Sequence, residues 1–126
     1  MSKNQIKVLH VINGEFFSGA ERVQDVLALR LPDYGYEVGF ACLKPLSFAD
    51  CRQSTGPLFN VPMKSKFDLA SAWEIARIVK REGFLLLHSH TPRAVLIARL
   101  ASWLSGVPLV HHVHSPTMRD TESIWR

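Results

Sequence analysis

Histidines occur in this chain where they could do chemistry, close to the ends of two apolar runs. The stretch "LLLHSHTPR" carries His88 and His90 just before a helix-start signal, and "VPLVHHVHSP" carries His114 where a polar loop opens. Imidazole titrates near neutral pH, so a histidine at a strand end can relay a proton or bond a phosphate or a sugar hydroxyl. Histidines inside strands are more often hydrogen-bonded structural residues, and we expect that role for His10, His88 and His111.

A metal site is the alternative role for these side chains. His88 and His90, like His112 and His114, are two residues apart and can face one side of a strand. A zinc site needs a third ligand, usually a carboxylate or a cysteine, and the nearest carboxylates lie in an unpatterned C-terminal tail. We therefore expect no metal. A metal-dependent hydrolase stays as an alternative that would need stoichiometric zinc.

The glycine-containing loop "NGEFFSGAE" follows the first apolar run. It begins like a phosphate-binding P-loop, but Ala20 and Glu21 stand where that motif needs Lys and Ser/Thr. The dinucleotide fingerprint lacks its third glycine, so ATP and NAD are not expected as ligands. Two interpretations stay open. Backbone N–H groups at a helix start could meet an anion, or Gly14 and Gly19 merely permit a tight turn that Ser18 and Glu21 cap.

The elements that must position these residues alternate regularly along the chain. Apolar runs predict strands at 6–12, 36–43, 58–62, 84–89 and 107–113, and helical periodicity predicts helices near 18–31, 68–82 and 92–105. In the first helix the predicted buried face contains Ala20, Val23, Leu27 and Leu31, and Asp68 and Thr91 are the predicted caps of the other two. The segment 44–57 reads as a loop, and helix 92–105 is apolar nearly all round, which predicts burial on two sides, by a missing domain or a second copy.

This order predicts one α/β domain over residues 1–126, a Rossmann-like open parallel sheet of about five strands with helices on both faces. Such sheets bind ligands at the carboxyl ends of their strands, where the strand order reverses. The glycine loop, His90 and His114 should therefore face one crevice. Arg93, in the first turn of its helix, would point a cation there against the helix dipole, which indicates an anionic ligand or, alternatively, a solvated side chain.

Composition limits the class of protein. The 126 residues carry a net charge of +4 without a run of like charges, which favours anionic small molecules or an acidic membrane surface over nucleic acid. No stretch approaches the ~20 apolar residues of a membrane span, and the N-terminus does not read as a signal peptide. Cys42 and Cys51 make neither a disulfide framework nor a zinc motif. The expected location is the cytoplasm, with peripheral contact to the inner face of the membrane as a further expectation.

Two blocks of the sequence resemble family-4 glycosyltransferases. "KVLHVINGEFFSGAERVQDVLALRLPDYGYEV" is similar to the family's opening strand, Gly-Gly-Ala-Glu-Arg type loop and helix, and "LLLHSHTPRAVLIARLASWLSGVPLVHHVHS" to its later His-x-His block. The resemblance runs from Lys7 to about Ser115. It implies a GT-B architecture, in which an N-terminal Rossmann-like domain holds the acceptor and a C-terminal domain with a Glu-x7-Glu motif holds a nucleotide-sugar donor. Transfer in this family retains the anomeric configuration and uses no metal.

On the donor side, the resemblance places Ser18 and Gly19 at the loop that approaches the donor diphosphate. It makes His114 the active-site histidine that contacts the donor sugar. The family has a glycine where this chain has Ser18, a departure expected to narrow the approach of backbone to phosphate.

On the acceptor side, the resemblance implies that Glu15 and Phe16 flank a glycan or lipid-linked acceptor and that His90 and Arg93 line the same side. The C-terminal domain is not among these 126 residues, so we expect the chain alone to be inactive and to self-associate. The alternative is a non-catalytic Rossmann-like module that binds a partner or a second copy through helix 92–105.

Overall fold

A computed structural model describes residues 5–15, 17, 19–64, 69–90 and 92–111, without the side chains of residues 20, 92 and 93. The elements are β1 (Ile6–Ile12), α1 (Gly19–Arg30), a 3-10 turn (Leu31–Tyr34), β2 (Tyr36–Cys42), α2 (Ser47–Cys51), β3 (Leu58–Asn60), α3 (Ala70–Glu82), β4 (Leu86–Ser89), α4 (Pro92–Ser105) and β5 (Leu109–His111). The predicted alternation of strands and helices is confirmed.

The strands form one parallel sheet in the order β3-β2-β1-β4-β5. Strand β1 lies in the middle and pairs with β2 along its whole length. On its other side it pairs with β4, which places His10 beside His88. The chain runs outwards from β1 to β3, crosses back through α3 and continues from β4 to β5. The strand order therefore reverses between β1 and β4, where a ligand site is expected.

Helices cover both faces of this sheet, as predicted. On one face α3 and α4 pack over Leu9, Val11 and Leu87 and form the larger apolar core. On the other face α1 and α2 cover a smaller core that contains Ile12 and Phe40. Burying a side chain of this size stabilises the fold by roughly 1.5–3 kcal/mol relative to leaving it in water. The two cores hold the central strands, and hence their carboxyl ends, in fixed positions.

The predicted buried face of α1 is wrong. Val23 is 45% exposed and Leu27 is only half-buried. Among the described side chains of α1, the buried ones are Glu21, Gln24, Asp25 and Ala28. The helix turns this mostly polar side inwards because the Asp25 carboxylate accepts hydrogen bonds from the backbone N–H groups of Gln53 (2.7 Å) and Ser54 (2.9 Å). A long-range polar contact thus overrides the apolar periodicity.

The segment 44–57 is not a loop throughout, because it contains the short helix α2. Phe48 on this helix is fully buried. Its ring centroid lies 4.8 Å from that of Phe40 and 5.9 Å from that of Phe17. Five residues are too few to show a helical period in the sequence. Burial of the Phe48 ring, rather than local preference, holds this turn of helix in place.

Helix α4 has the predicted bounds, and within this chain one of its sides is buried. Burial of the second side by a further domain or a second copy stays a prediction. Ala94, Ile97, Ala98 and Ala101 are buried, whereas Leu96 and Trp103 are 43% and 80% exposed. Strands β3 and β4 are shorter than predicted, because backbone pairing covers only Leu58–Asn60 and Leu86–Ser89. The predicted caps Asp68 and Thr91, and β5 beyond residue 111, lie outside the described residues.

Candidate functional site

The candidate site lies at the carboxyl ends of β1 and β4. Strand β1 ends at Ile12 and leads into residues 13–15, and β4 ends at Ser89 immediately before His90. Because these neighbouring strands are parallel, both loops emerge at one edge of the sheet. The glycine loop and His90 thus leave the sheet at the same edge, and that they face one crevice stays a prediction. The third loop, which contains His112 and His114, lies outside the described residues.

Gly14 makes the turn that carries the chain away from β1. Its φ of +79° lies in the left-handed region, and a Cβ on it would lie 2.9 Å from the Cys42 sulfur. Its carbonyl oxygen accepts hydrogen bonds of 3.2 Å from the N–H groups of Leu46 and Phe48. For Gly14, therefore, the interpretation as a tight-turn glycine is sufficient.

Gly19 is different, because neither a turn nor packing explains it. It is the exposed first residue of α1, and a Cβ there would meet nothing within 4 Å. The first N–H groups of an α-helix lack intrahelical acceptors, and the helix dipole favours an anion near them. The anion interpretation therefore fits Gly19 better than the turn interpretation does. Its neighbour Ser18 lies outside the described residues, so the capping box with Glu21 stays a prediction.

Glu15 lies at the rim of the same edge. Its Oε1 is 3.7 Å from Nζ of Lys44, and the two side chains are 36% and 39% exposed. An exposed pair of this kind contributes only about 0–1 kcal/mol to stability. Glu15 is thus accessible to a ligand and has a cation beside it. Phe16, the other predicted flanking residue, lies outside the described residues.

Three histidines meet behind this rim: His10, His88 and His90, referred to below as the histidine cluster. Nε2 of His90 and Nδ1 of His10 share a hydrogen bond of 2.9 Å. The ring centroids lie 4.7 Å apart for His10 and His88, 4.9 Å for His10 and His90, and 4.2 Å for His88 and His90. His10 and His90 are 1% and 5% exposed. The expected hydrogen-bonded role of His10 is confirmed, but its partner is a predicted site residue.

The sequence analysis did not identify His10 as part of the site. The signal that could have found it is the pairing of β1 with β4, which sets His10 level with His88. The structure also changes the question of metal ligands. Nitrogen atoms of the cluster, one from each ring, all lie within 4.8 Å of one another, so a third ligand is available after all.

The two remaining predicted residues in this region are less informative. His111 is exposed, and its Nδ1 lies 2.8 Å from the Ser89 hydroxyl oxygen, which agrees with the structural role predicted for it. Arg93 is the second residue of α4, so its backbone stands at the expected edge. The position of its side chain is not described, and its contact with a ligand stays a prediction.

Comparison with known proteins decides the family. The sequence profile of Glycosyltransferase Family 4 matches residues 17–126, which is most of the chain. The chain belongs to glycosyltransferase family 4. Among the described residues of this family-4 domain, no helix is long and apolar enough to cross a membrane.

A curated relative and two solved structures are similar to the family-4 domain. The relative is an Escherichia coli UDP-Gal:alpha-D-GlcNAc-diphosphoundecaprenol alpha-1,3-galactosyltransferase, 26% identical over 125 residues, with 94% of this chain and 32% of that protein covered. MurG of Acinetobacter baumannii superposes with a TM-score of 0.67 at 13% identity, covering 94% of this chain and 39% of that one. A glycosyltransferase of Rickettsia africae ESF-5 superposes with a TM-score of 0.65 at 16% identity, covering 94% of this chain and 33% of that one.

These likenesses agree with a Rossmann-like domain that forms the N-terminal half of a GT-B architecture, as predicted. At such identities the solved structures show the fold alone. The family-4 domain spans about a third of the length of its curated relative.

Three titratable side chains lie behind the glycine loop: Asp25, Arg52 and Cys42. Burial alone would raise the pKa of the Asp25 carboxyl, but contacts with Ser54 and Gln53 and the charge of Arg52 outweigh it and hold that pKa below its usual value. Burial raises the pKa of the Cys42 thiol to about 12 against the opposing charge of Arg52. Cys42 is therefore a packing residue under Gly14 in this family-4 domain and not a nucleophile.

Proposed function

We propose that this domain is the acceptor side of a retaining glycosyltransferase, which moves a sugar from a nucleotide-sugar donor to a glycan or lipid-linked acceptor. The observation that carries the proposal is the arrangement at the β1/β4 edge. An unhindered helix start at Gly19, the Gly14 loop and the buried His90 follow the ends of the two strands between which the strand order reverses. Membership of family 4 supports the reaction class.

The reaction exchanges one bond at the anomeric carbon of the donor sugar. The bond from that carbon to the diphosphate oxygen breaks, a bond to the acceptor oxygen forms on the same face, and the acceptor hydroxyl loses its proton. The nucleoside diphosphate leaves with the electron pair and gains negative charge. Groups that stabilise this anion, and groups that orient the acceptor hydroxyl, are what the protein must supply.

The donor diphosphate is proposed to lie against the start of α1. Gly19 lets the backbone come close to it, and the positive end of the helix dipole favours the leaving group. Ser18 belongs to the same loop, and His114 is proposed to contact the donor sugar. We propose that the transfer itself needs no divalent metal, because the helix start and Lys44 at the rim can offset the diphosphate charge.

The acceptor is proposed to lie between the rim and the histidine cluster. Glu15 is accessible there beside Lys44, and His90 is held in a fixed orientation by His10. Phe16 and Arg93 are the further residues proposed to line this side. A carboxylate that accepts from sugar hydroxyls and a histidine that receives or relays the acceptor proton are suited to this position.

A lipid-linked acceptor is favoured by an apolar surface between α3 and α4. Leu69, Ala72, Trp73, Leu100, Trp103 and Leu104 line a hollow of about 230 Å³, called here the tryptophan patch. Trp73 is 61% exposed, and exposed basic residues follow it along α3. Tryptophan beside lysine and arginine suits the interface of an anionic membrane. We therefore propose that the protein works in the cytoplasm, at the inner face of the membrane. The curated relative, whose name contains a diphosphoundecaprenol acceptor, also supports a lipid-linked acceptor.

The transfer assay measures release of nucleoside diphosphate from UDP-sugars in the presence and absence of a sugar-diphosphate lipid. We expect no release from the 126-residue chain alone, and acceptor-dependent release when a nucleotide-sugar-binding domain is joined to it. In that joined protein Glu15→Gln and His90→Gln should lower turnover, whereas His111→Gln should not. Equal turnover in all of them would contradict the assigned acceptor side.

The second candidate is a non-catalytic module that associates through α4, and the exposure of Trp103 and Leu96 favours it. The same exposed residues lead us to propose that the isolated chain self-associates. Sedimentation over a range of concentrations tests this: association that Trp103→Ser abolishes is expected. A monomer at all concentrations would contradict the module. Self-association together with a complete lack of response to sugar nucleotides in the joined protein would favour it.

A further inference from the structure

The histidine cluster brings three imidazoles from two adjacent strands into one buried space. His10 comes from the middle of β1, and His88 and His90 come from the end of β4. Their nitrogen atoms, one from each ring, lie within 4.8 Å of one another, and Nε2 of His90 is 2.9 Å from Nδ1 of His10. A neutral imidazole has one N–H and one nitrogen lone pair, so each of the three rings can supply one ligand atom to a metal ion.

We propose that His10, His88 and His90 bind a divalent transition-metal ion of the zinc, cobalt and nickel class. The inference does not rest on the proposed function. A metal ion would take the His90 lone pair that the proposed proton relay needs, so metal binding and the relay are alternative uses of this ring. Three neutral imidazoles are an established ligand set for zinc, which leaves a fourth position to water. Imidazole ligands select such ions over Mg²⁺ and Ca²⁺, which prefer oxygen.

The nitrogen–nitrogen distances in the cluster allow three ligands to reach one ion after small movements of the rings. Zinc–nitrogen bonds of about 2.0–2.1 Å in tetrahedral geometry set two ligand nitrogens about 3.4 Å apart. The His10–His90 pair is slightly closer than that at 2.9 Å, and the widest separation in the cluster is below 4.8 Å. The rings must turn from their tilted stacking to face one ion. Rotation about χ2 of histidine is broad and meets no steep barrier.

A cavity beside the cluster offers room for the fourth ligand. His10 and His88 line a cavity of about 230 Å³ together with apolar side chains, among them Val8, Leu27 and Leu86. His88 is half-buried, whereas His10 and His90 are buried. The cavity adjoins two of the three rings, so a water molecule on the ion would occupy that space once the rings have turned to face the ion.

The test uses the purified 126-residue chain, stripped with a chelator. Titration calorimetry with Zn²⁺ should give one ion per chain, Co²⁺ should develop the visible absorption of a four-coordinate nitrogen site, and Mg²⁺ should give no heat. His88→Gln is the main variant, because His88 is half-buried and its loss is the least disturbing to the fold. It should weaken Zn²⁺ binding by about a hundredfold or more, since loss of an outer partner alone costs 10–100-fold. His111→Gln, which lies outside the cluster, should bind like the wild type.

Thermal unfolding keeps the test decisive if a variant is less stable. Saturating Zn²⁺ should raise the unfolding temperature of the wild type and of His111→Gln, and leave that of His88→Gln unchanged. No bound Zn²⁺ in the wild type would overturn the proposal. So would equal affinity in His88→Gln, or loss of binding in a His112→Gln/His114→Gln double variant, which would place the ion on the later histidines.

Discussion

Nε2 of His90 lies 2.9 Å from Nδ1 of His10, although 80 residues separate the two in the chain. One ring donates an N–H and the other accepts it with a lone pair, so each ring fixes the tautomer and orientation of the other. Both residues are buried, which strengthens the bond relative to one in water. The central strand thereby positions a histidine at the edge where the acceptor is proposed to bind.

Replacing His10 should therefore change the hydrogen bonding and the tautomer of the His90 ring. In His10→Ala the buried Nε2 of His90 loses its partner, and we expect the free energy of unfolding to fall by about 1–3 kcal/mol or more, because a cavity is also created. His10→Gln keeps a polar group in place and should cost less. Urea unfolding measures both variants, and nitrogen NMR shifts of the His90 ring report its tautomer. An unchanged His90 tautomer in His10→Ala would contradict the positioning role.

Gly14 and Gly19 form a matched pair of substitutions in one loop. Gly14→Ala should destabilise the domain by about 1–3 kcal/mol, because the new Cβ meets the Cys42 sulfur and the backbone is held at positive φ. Gly19→Ala should be neutral or stabilising by up to about 1 kcal/mol, because a Cβ there meets nothing and alanine favours a helix. Thermal unfolding compares the two.

The same pair separates folding from donor binding. In a protein joined to a donor domain, Gly19→Ala should weaken binding of the nucleotide sugar while the fold is intact, because its Cβ stands in the way of the diphosphate. Unchanged donor affinity in Gly19→Ala would contradict the assignment of this helix start to the donor.

Asp25 should make the free energy of unfolding of the domain fall at acid pH. Its pKa is held below the usual value in the folded state, so its contribution is fully present above the unfolded pKa of about 3.9 and is lost as the pH falls through the folded pKa. Asp25→Asn should lower the free energy of unfolding at pH 7 by about 1.5–3 kcal/mol, the range for hydrogen bonds to a charged group. The gap between wild type and variant should narrow below pH 4. Urea unfolding at pH 7 and below pH 4 measures this difference in the free energy of unfolding. A difference that stayed constant would count against a charged Asp25.

The tryptophan patch should bind anionic membranes. Trp73→Ser and Trp103→Ser each remove an exposed interfacial ring, and each should reduce the fraction of the chain that sediments with vesicles containing anionic lipid. Tyr34→Ser is the control, because Tyr34 is equally exposed at 76% but lies in the 3-10 turn after α1. A similar loss in all three variants, or binding to neutral vesicles alone, would contradict a membrane role for the patch.

Some of this structure could be predicted from the sequence, and the exceptions have physical reasons. Strand β1 and helix α4 were predicted with their observed bounds, because a β-branched run and a Thr-Pro start with a terminal glycine are local signals. The inward face of α1 was missed because Asp25 finds its partners in residues 53 and 54, which no periodicity encodes.

The candidate site shows the same division. The position of His90 followed from the end of its strand, but His10 was read only as a structural residue. Its contact with His90 depends on which strands are neighbours, and the order β3-β2-β1-β4-β5 appears only in the folded chain. Burial of Phe48 by α2 likewise depends on Phe40 in a different strand.

The acceptor-side assignment is tested most directly by titrating a short-chain sugar-diphosphate lipid into the chain and following its amide NMR shifts. We expect saturable shifts at residues 13–15 and at His90, retained in His111→Gln and lost in His90→Gln with the fold intact. Saturable binding at those positions would support the acceptor side of a sugar-transfer cleft at the β1/β4 edge. Absence of saturable shifts at that edge, or equal binding by His90→Gln, would contradict it.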